Sequence, residues 1–212
     1  MTQKDCGHGD GGRGDLGRRI AGGILFLIFI ILLIIFLVWL ILRPSKPHFI
    51  LQDATVYALN VTQPSLLTVT LQITLSSRNP NERIGVYYER LDVYASYHNQ
   101  QVTYATRIPT TYQGHKDVTV WSPFLYGNNV PVAPYLALSL LQDQNAGIVQ
   151  MNIKVDGRVK WKVGTWISGK YHIWVNCPAY LTFGSRSSGI SIGSGAAIKY
   201  QLASSCHAEV SI

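Results

Sequence analysis

The sequence has few of the residues from which enzymes build reactive centres. Its 212 residues include 3 cysteines, 6 histidines and 11 acidic side chains. The histidines never stand at the spacing of metal ligands, and no nucleophile elbow, phosphate-binding loop, dinucleotide fingerprint or zinc-protease motif occurs. The nearest acidic grouping, Glu82, Glu89 and Asp92, is better explained as surface charge than as a glycosidase pair. We therefore predict no enzyme activity, no metal and no cofactor.

The sequence shows little concentration of charge of one sign. The net charge of +7 is spread along the chain, and beyond residue 50 the one basic cluster runs from Lys154 to Lys162. Nucleic-acid binding needs a basic stripe with a recognisable motif, and no such motif is present. Acidic lipid headgroups or acidic wall polysaccharide remain open as weak electrostatic partners.

One long stretch lacks charge altogether. Ile20 to Leu42 are 23 consecutive residues without a charge, a proline or an amide. As a helix they would extend about 34 Å, and the hydrocarbon core of a bilayer is roughly 30 Å thick. A buried soluble helix would show a polar face, and a cleaved signal peptide would be shorter and end in small residues. We therefore predict an uncleaved signal anchor, with a single transmembrane helix over residues 20–42.

The flanking basic residues predict the orientation of this helix. Four Lys and Arg residues precede the run and two follow it within residues 43–62, which favours an N-terminus in the cytoplasm. The Gly-rich residues 1–19 are then a disordered cytoplasmic tail. Residues 43–49 are a spacer, and residues 50–212 are a domain outside the cytoplasm.

Two features of the outer part agree with that orientation. Asn60 begins the triplet NVT, the only N-glycosylation acceptor in the sequence. Cys177 and Cys206 are the only cysteines after the anchor. In an oxidising compartment they would form a disulfide that contributes roughly 3–4 kcal/mol in the chain-entropy model. Two buried free thiols are the alternative.

Alternation of apolar and polar residues predicts strands. Residues 67–75 alternate without a fault. Residues 91–97 do the same, before a turn at Asn99-Gln100 that returns the chain through Val102 and Tyr104.

The segment VQMNIKVDGRVKWKV predicts a β-hairpin, with Val155-Asp156-Gly157 as a three-residue loop and the basic cluster on its outer face. A solvated strand face explains this cluster better than a binding site does. YLALSLLQ after Pro134 favours a short helix that stops before Gly147, with another strand as the alternative. Many short strands and one helix candidate together predict an antiparallel β-sandwich.

The dense stretch NPNERIGVYYERLDVY is explained as a turn between two strands. Pro80 excludes a helix at Asn79, asparagines bond their own backbone in turns, and Gly85 offers another bend. Recognition by the exposed loop is an additional possibility.

Three stretches resemble a known family: SSRNPNERIGVYYERLDVYASY, YQGHKDVTVWSPFLYGNNVPV and VDGRVKWKVG. They are similar to the plant NHL proteins, relatives of the harpin-induced and non-race-specific disease-resistance proteins, which carry a late-embryogenesis-abundant group-two (WHy) domain. The matching motif loops contain Asn79, Pro80, Asn81, Tyr112, Gln113, Gly114, His115 and Lys116.

The resemblance covers the tail, the span and the domain. It implies a fibronectin-III/immunoglobulin-like β-sandwich that faces the apoplast from the plasma membrane, with plasmodesmata as a more specific location. It also implies a role in plant defence, the hypersensitive response and stress, with unidentified protein or cell-wall partners and with homo-oligomerisation open. A structural membrane protectant in desiccation is the alternative function.

Overall fold

The computed structural model describes residues 12–41, 44–62, 65–182, 198–200 and 203–211. The chain divides into two compact units, Met1–Arg43 and Pro44–Ile212.

The first unit contains helix α1, Gly12–Ile41. Its side chains are exposed throughout residues 21–37. The helix begins before Ile20, so residues 12–19, for which the sequence predicts disorder, are helical. Extending a formed helix adds one hydrogen bond per residue and needs no new nucleus, which explains the earlier start. Over the residues that the structure describes, neither helix is at once long and apolar enough to cross a membrane.

Over its described residues, the second unit is built from two antiparallel sheets and one helix. In chain order its elements are β1 (His48–Thr62), β2 (Leu66–Arg78), β3 (Gly85–Tyr97), β4 (Gln100–Gln101), β5 (Thr106–Ile108), β6 (Thr111–Gln113), β7 (Val118–Trp121), β8 (Phe124–Pro131), α2 (Pro134–Ala146), β9 (Ile148–Val163), β10 (Trp166–Ile167), β11 (Tyr171–Thr182), β12 (Ile198–Tyr200), β13 (Ser204–Ser205) and β14 (His207–Ser211). Strand β1 begins within the predicted spacer 43–49, two residues before the predicted start of the domain.

The two sheets have separate strand orders. Sheet A runs β12-β1-β2-β7, with β13 also on β1 and β8 also on β2. Sheet B runs β14-β11-β9-β3-β4, with β10 on β9 and with β5 and β6 on β3. The chain is thus mainly β with antiparallel sheets, as the alternation of the sequence predicts.

The hydrophobic core fills the space between the sheets. The apolar positions of β2 at 67, 69, 71, 73 and 75 are buried, and so are those of β3 at 91, 93, 95 and 97. Both sets come from the alternating segments of the sequence, so these two strand predictions are confirmed. The ring of Tyr88 in sheet B packs edge-on against Phe49 and Trp121 of sheet A, which fixes the two layers against each other.

The predicted hairpin at Val155-Asp156-Gly157 is wrong. Strand β9 passes through these residues without turning, and it pairs with β3 on one side and β11 on the other. Opposite Gly157, strand β3 carries an irregularity between Tyr88 and Arg90. A side chain at Gly157 would clash with the carbonyl oxygen of Arg90. Glycine is therefore needed here for close approach of a neighbouring strand, and no turn is involved.

The turn after β3 lies one residue earlier than predicted. His98 and Asn99 have φ values of 45° and 67°, and the strands on either side pair Tyr97 with Gln100. Two left-handed residues form the tight turn that matches the twist of a hairpin. The ring of His98 stacks on Tyr97, with 4.2 Å between ring centroids.

Helix α2 is confirmed, including its end. It begins with Pro134 in its first turn and is capped by Gly147, whose φ is 84°. Proline fits the first turn because its missing N–H has no partner there, and glycine adopts the left-handed cap without strain.

Candidate functional site

The NPN motif is a buried hydrogen-bonded corner. Asn79 is fully buried, and its side-chain Nδ2 donates to the carbonyl oxygens of Ile84 at 2.7 Å and Gly114 at 2.8 Å. Its Oδ1 accepts from the backbone N–H of Asn81 at 3.1 Å and from the Asn81 side chain at 2.9 Å. Asn79 therefore closes its own loop and joins it to the loop that carries Gly114. Pro80, between the two asparagines, is half-buried.

Asn81 joins the same corner to the first residues of the second unit. Its Nδ2 donates to the carbonyl oxygen of Ser45, and the backbone N–H of Ser45 donates to its Oδ1, both at 2.8 Å. The N–H of Lys116 also donates to the carbonyl oxygen of Asn81 at 3.1 Å. Three segments distant in sequence therefore meet at one pair of asparagines.

Gln113, in the second motif, extends this buried network. Its Oε1 accepts from the hydroxyl of Tyr88 at 2.8 Å, and its Nε2 donates to the carbonyl oxygens of Ser77 at 2.7 Å and Asp117 at 3.0 Å. The oxygens of Tyr88 and the Ser77 hydroxyl lie 2.8 Å apart. Burial raises the pKa of the Tyr88 phenol well above its usual value, because the charged form would lose its hydration.

We call the buried set Ser77, Asn79, Asn81, Tyr88 and Gln113 the amide network. Its side-chain donors and acceptors are engaged with one another and with the backbone. Buried polar groups satisfied in this way stabilise one conformation and leave little capacity to bind a ligand. The motif residues that suggest a recognition loop therefore act mainly inside the fold.

The remaining motif residues lie at the surface. The ring of Tyr112 lies against Gly85, where any side chain would meet it, and 4.4 Å from the ring of Tyr87. The Lys162 ammonium stands 5.6 Å from the Tyr87 centroid and 5.2 Å from that of Tyr112. Gly85, predicted as a bend, is the first residue of a strand, and its lack of a side chain makes room for Tyr112.

The turn after Tyr112 carries exposed charge. Gly114 is half-buried and His115 is exposed. Lys116 has a φ of 53°, and its ammonium lies 2.6 Å from a carboxylate oxygen of Glu82. The hydrogen bond from Lys116 lowers the pKa of Glu82.

A second polar region lies on the outer face of sheet B. It is a shallow hollow of about 360 Å³, which we call the arginine depression. Its polar lining comprises Arg90, Asp92, Tyr94, Gln101, Asp156, Arg158 and His172. The sheet register places Arg90 beside Arg158 and Asp92 beside Asp156. Like charges thus face each other across two neighbouring strands.

Ion pairs engage only part of this charge. Arg90 lies 2.6 Å from Asp92, and Arg107 lies 3.2 Å from the other oxygen of the same carboxylate. His172 Nε2 lies 3.3 Å from Asp156, while its Nδ1 is buried with no hydrogen-bond partner among the described residues. Arg158 is exposed and makes no ion pair with a described residue. The depression therefore offers a guanidinium group to an anionic ligand.

The sequence indicates this region only in part. The alternation around Lys154 to Lys162 correctly indicates one outward basic face, although the residues share one strand and not two arms of a hairpin. Glu89, predicted as surface charge, is half-buried and lies 2.9 Å from Lys160 and 3.4 Å from Lys170. The hydrogen bond from Lys160 lowers the pKa of Glu89. The contribution of Arg107 and His172 depends on strand pairing, which no local pattern reveals.

The two other predicted sites lie away from this hollow. Asn60 is exposed on β1, so the acceptor side chain is open to solvent. Cys177 on β11 and Cys206 are joined by a disulfide, with 4.3 Å between their Cα atoms. Within the residues that the structure describes, no group of three or more His, Cys, Asp and Glu side chains is arranged to hold a metal ion.

Comparison with known proteins gives a consistent set of relatives. Residues 74–178 match the family described as Late embryogenesis abundant protein. The chain is 57% identical to NDR1/HIN1-like protein 1 of Arabidopsis thaliana, with 98% of this chain and 100% of that protein covered. It is 56% identical to NDR1/HIN1-like protein 12 of the same plant, with 99% and 100% covered.

A solved structure of a protein from Archaeoglobus fulgidus can be superposed on this chain, with 64% of this chain and 98% of the archaeal chain covered. Its identity of 12% and TM-score of 0.33 are too low to support a conclusion about the fold.

Proposed function

We propose that this chain, which belongs to the NDR1/HIN1-like family and carries a Late embryogenesis abundant domain, is a single-pass plasma-membrane protein of plant defence and stress. Its β-sandwich, of fibronectin-III/immunoglobulin-like type, lies in the apoplast and acts as a non-catalytic binding module. The observation that carries the proposal is the presence, in one chain, of an uncharged 23-residue run and a disulfide-bonded sandwich.

The proposed span is the whole run Ile20–Leu42. This run is longer at both ends than residues 21–37, whose side chains are exposed in the structure. Helix α1 supplies the internal hydrogen bonds that a segment in lipid requires. The flanking basic residues favour a cytoplasmic N-terminus. Disulfides persist in oxidising compartments, so the Cys177–Cys206 bond supports a sandwich outside the cytoplasm.

The arginine depression is the surface that best suits a binding module. It combines a concave outline on the face of a sheet with the exposed guanidinium group of Arg158, which makes no ion pair with a described residue. Arginine recognises carboxylates through paired hydrogen bonds. We propose that it engages an anionic protein or wall partner, with the buried amide network holding the domain in one shape.

Protease shaving of intact protoplasts tests the topology. With an epitope after Ile212, protease should remove the sandwich without permeabilisation, and a glycosidase should increase the mobility of the protein unless Asn60 is changed to Gln. A sandwich protected until the membrane is permeabilised, together with an unmodified Asn60, would contradict the proposal.

A matched pair of charge reversals tests the binding surface. Arg158 in sheet B and Arg78 in sheet A are both exposed, and neither makes an ion pair with a described residue. Proximity labelling from the outer domain should lose partners in Arg158→Glu and keep them in Arg78→Glu. Equal losses in both variants, or in neither, would remove the depression from the proposal.

The second candidate is structural protection of membranes, favoured by the match of residues 74–178 to the Late embryogenesis abundant family. Plants lacking the protein would then leak more solute during dehydration. Unchanged leakage with an altered response to infection would favour the binding module.

A further inference from the structure

We propose that the tip of the β9–β10 hairpin, residues Gly164 to Ile167, inserts into the lipid headgroup region of the membrane. The inference rests on the anchor in the proposed function and goes beyond it by assigning a lipid-contacting surface to the sandwich. We call these four residues the hairpin tip.

The hairpin tip exposes apolar side chains on both of its faces. Trp166 pairs with Val163 and Ile167 pairs with Lys162, so the chain turns at Gly164, whose φ is 57°. Consecutive strand residues point to opposite faces, yet Trp166 is 64% exposed and Ile167 is 48% exposed. Neither sheet covers the tip, which therefore projects from the sandwich.

The side chains at the tip are those favoured at a membrane surface. Tryptophan partitions into the headgroup region, where its ring is partly apolar and its N–H finds a partner. Lys162 precedes the tip and Lys170 follows it in sequence. Lys170 is exposed although it lies 3.4 Å from Glu89, and Lys162 is half-buried with its ammonium beside the rings of Tyr87 and Tyr112. Basic groups in such positions complement lipid phosphates. An apolar tip with basic neighbours is the pattern of a shallow interfacial contact.

The position of the tip matches this chemistry. Ser45 is bonded to Asn81, and Pro44 lines a hollow together with Trp161 and Tyr171, so the sandwich begins at the end where β9 finishes. In the sequence only Arg43 separates Pro44 from Leu42, where the proposed span ends, and two residue steps reach about 7 Å. The covalent chain therefore keeps this end of the sandwich within reach of the headgroups.

The opposite end of the sandwich provides an internal control. Strand β2 pairs Arg78 with His48 near the beginning of the domain and Leu67 with Val130 at the other end. Its 13 residues separate these ends by about 40 Å. Helix α2 at this far end also exposes apolar side chains, Tyr135 and Leu138. Exposure alone does not distinguish the two ends, whereas the distance from Pro44 does.

A spin label at Thr165 tests the contact in the full-length protein. The chain would carry Cys6→Ser, which leaves the disulfide intact, and would be reconstituted in phosphatidylcholine nanodiscs with and without phosphatidylserine. Labels at Thr165→Cys and, separately, at Asn128→Cys near the far end would be compared. We expect the ratio of oxygen to water-soluble nickel-chelate accessibility to be several-fold higher at position 165.

Paired variants separate insertion from general surface properties. The double variant Trp166→Ser with Ile167→Ser should make the label at position 165 as accessible to the nickel chelate as a label in water. The double variant Tyr135→Ser with Leu138→Ser should not have this effect. All four side chains are exposed, so the midpoint of thermal unfolding should be nearly unchanged in both variants. A label at position 165 that is as accessible to the nickel chelate as the label at position 128 would overturn the inference.

Resistance to alkaline carbonate extraction, measured on sedimentable membranes of cells that express the same variants, distinguishes this failure from failure of the anchor. If the protein resists extraction but the label reports water, the inference fails and the anchor stands. If the protein is extracted, the anchor fails and the inference fails with it.

Discussion

The amide network and the arginine depression are both polar, and they differ in exposure to water. In the network, Asn79 and Gln113 are fully buried, and each makes several hydrogen bonds within the protein. In the depression, Arg90 remains more than half exposed although it pairs with Asp92, and so does Arg107, which pairs with the same carboxylate from outside the lining. A polar group that has lost water must find its partners inside the protein, whereas an exposed one can exchange water for a ligand. Burial thus separates polar residues that stabilise the fold from those available for binding.

Replacing Gln113 by alanine should have the largest effect on stability. It removes three hydrogen bonds and opens a cavity among buried groups, at a cost of about 3–5 kcal/mol. Denaturant unfolding measures the change. Gln101→Ala, which removes one bond from an exposed side chain to the Thr103 carbonyl, is the control and should cost less than about 1 kcal/mol. Equal effects would contradict the role assigned to burial.

Replacing Tyr88 by phenylalanine should have a smaller effect, because the ring and its packing remain. Loss of the hydroxyl contacts with Gln113 and Ser77 should cost about 1–2 kcal/mol in denaturant unfolding at neutral pH.

The same residue predicts an alkaline limb in the stability profile. The pKa of Tyr88 is raised by burial, and that of Tyr97 is raised by burial and by Asp143. In the unfolded chain both phenols titrate near the usual value of about 10. Above that pH the unfolded state binds fewer protons, so stability falls as pH rises. Tyr88→Phe should make this fall shallower, and an unchanged slope would contradict the assignment.

Replacing Asp92 by asparagine should change stability by less than about 1 kcal/mol, because both arginines that pair with it are more than half exposed to water. The arginine depression would become more positive without unfolding. A loss as large as that expected for Gln113→Ala would show that this surface cluster also stabilises the fold.

The smallest effect is expected from Glu89. Its pKa is lowered, first by the hydrogen bond from Lys160, so its stabilising effect is present above the ordinary carboxyl pKa and is lost as pH falls through the lowered value. Thermal unfolding between pH 6 and pH 3 should therefore show a slightly shallower acid limb in Glu89→Gln. An acid limb that is equally steep in both proteins would argue against the ion pair.

Local patterns in the sequence predicted the elements whose structure depends on local periodicity. The alternation of residues 67–75 and the Pro134 and Gly147 signals gave a strand and a helix that the structure confirms. Gly157 misled because the same residue type serves a turn and a close strand approach, and only the irregularity in β3 decides between them.

The amide network could not be predicted in the same way. The sequence identifies NPN as a corner. However, Asn79 bonds to Gly114, which is 35 residues away in sequence, and Asn81 bonds to Ser45, which is 36 residues away. Nothing near these asparagines in sequence indicates which segments the fold will bring to them. The depression is similar, because long-range strand pairing brings His172 into its lining and Arg107 to Asp92.

A sugar on the predicted glycosylation acceptor Asn60 would determine from which side a large partner can approach the sandwich. Asn60 lies on the outer surface of sheet A, on the same strand as the exposed Tyr57, whose ring centroid is 5.9 Å from that of Phe124. A branched sugar attached there would cover these rings and would keep bulky molecules away from the outer surface of sheet A. The strands of sheet B contain no N-glycosylation triplet, so the outer surface of sheet B would remain accessible to a large partner.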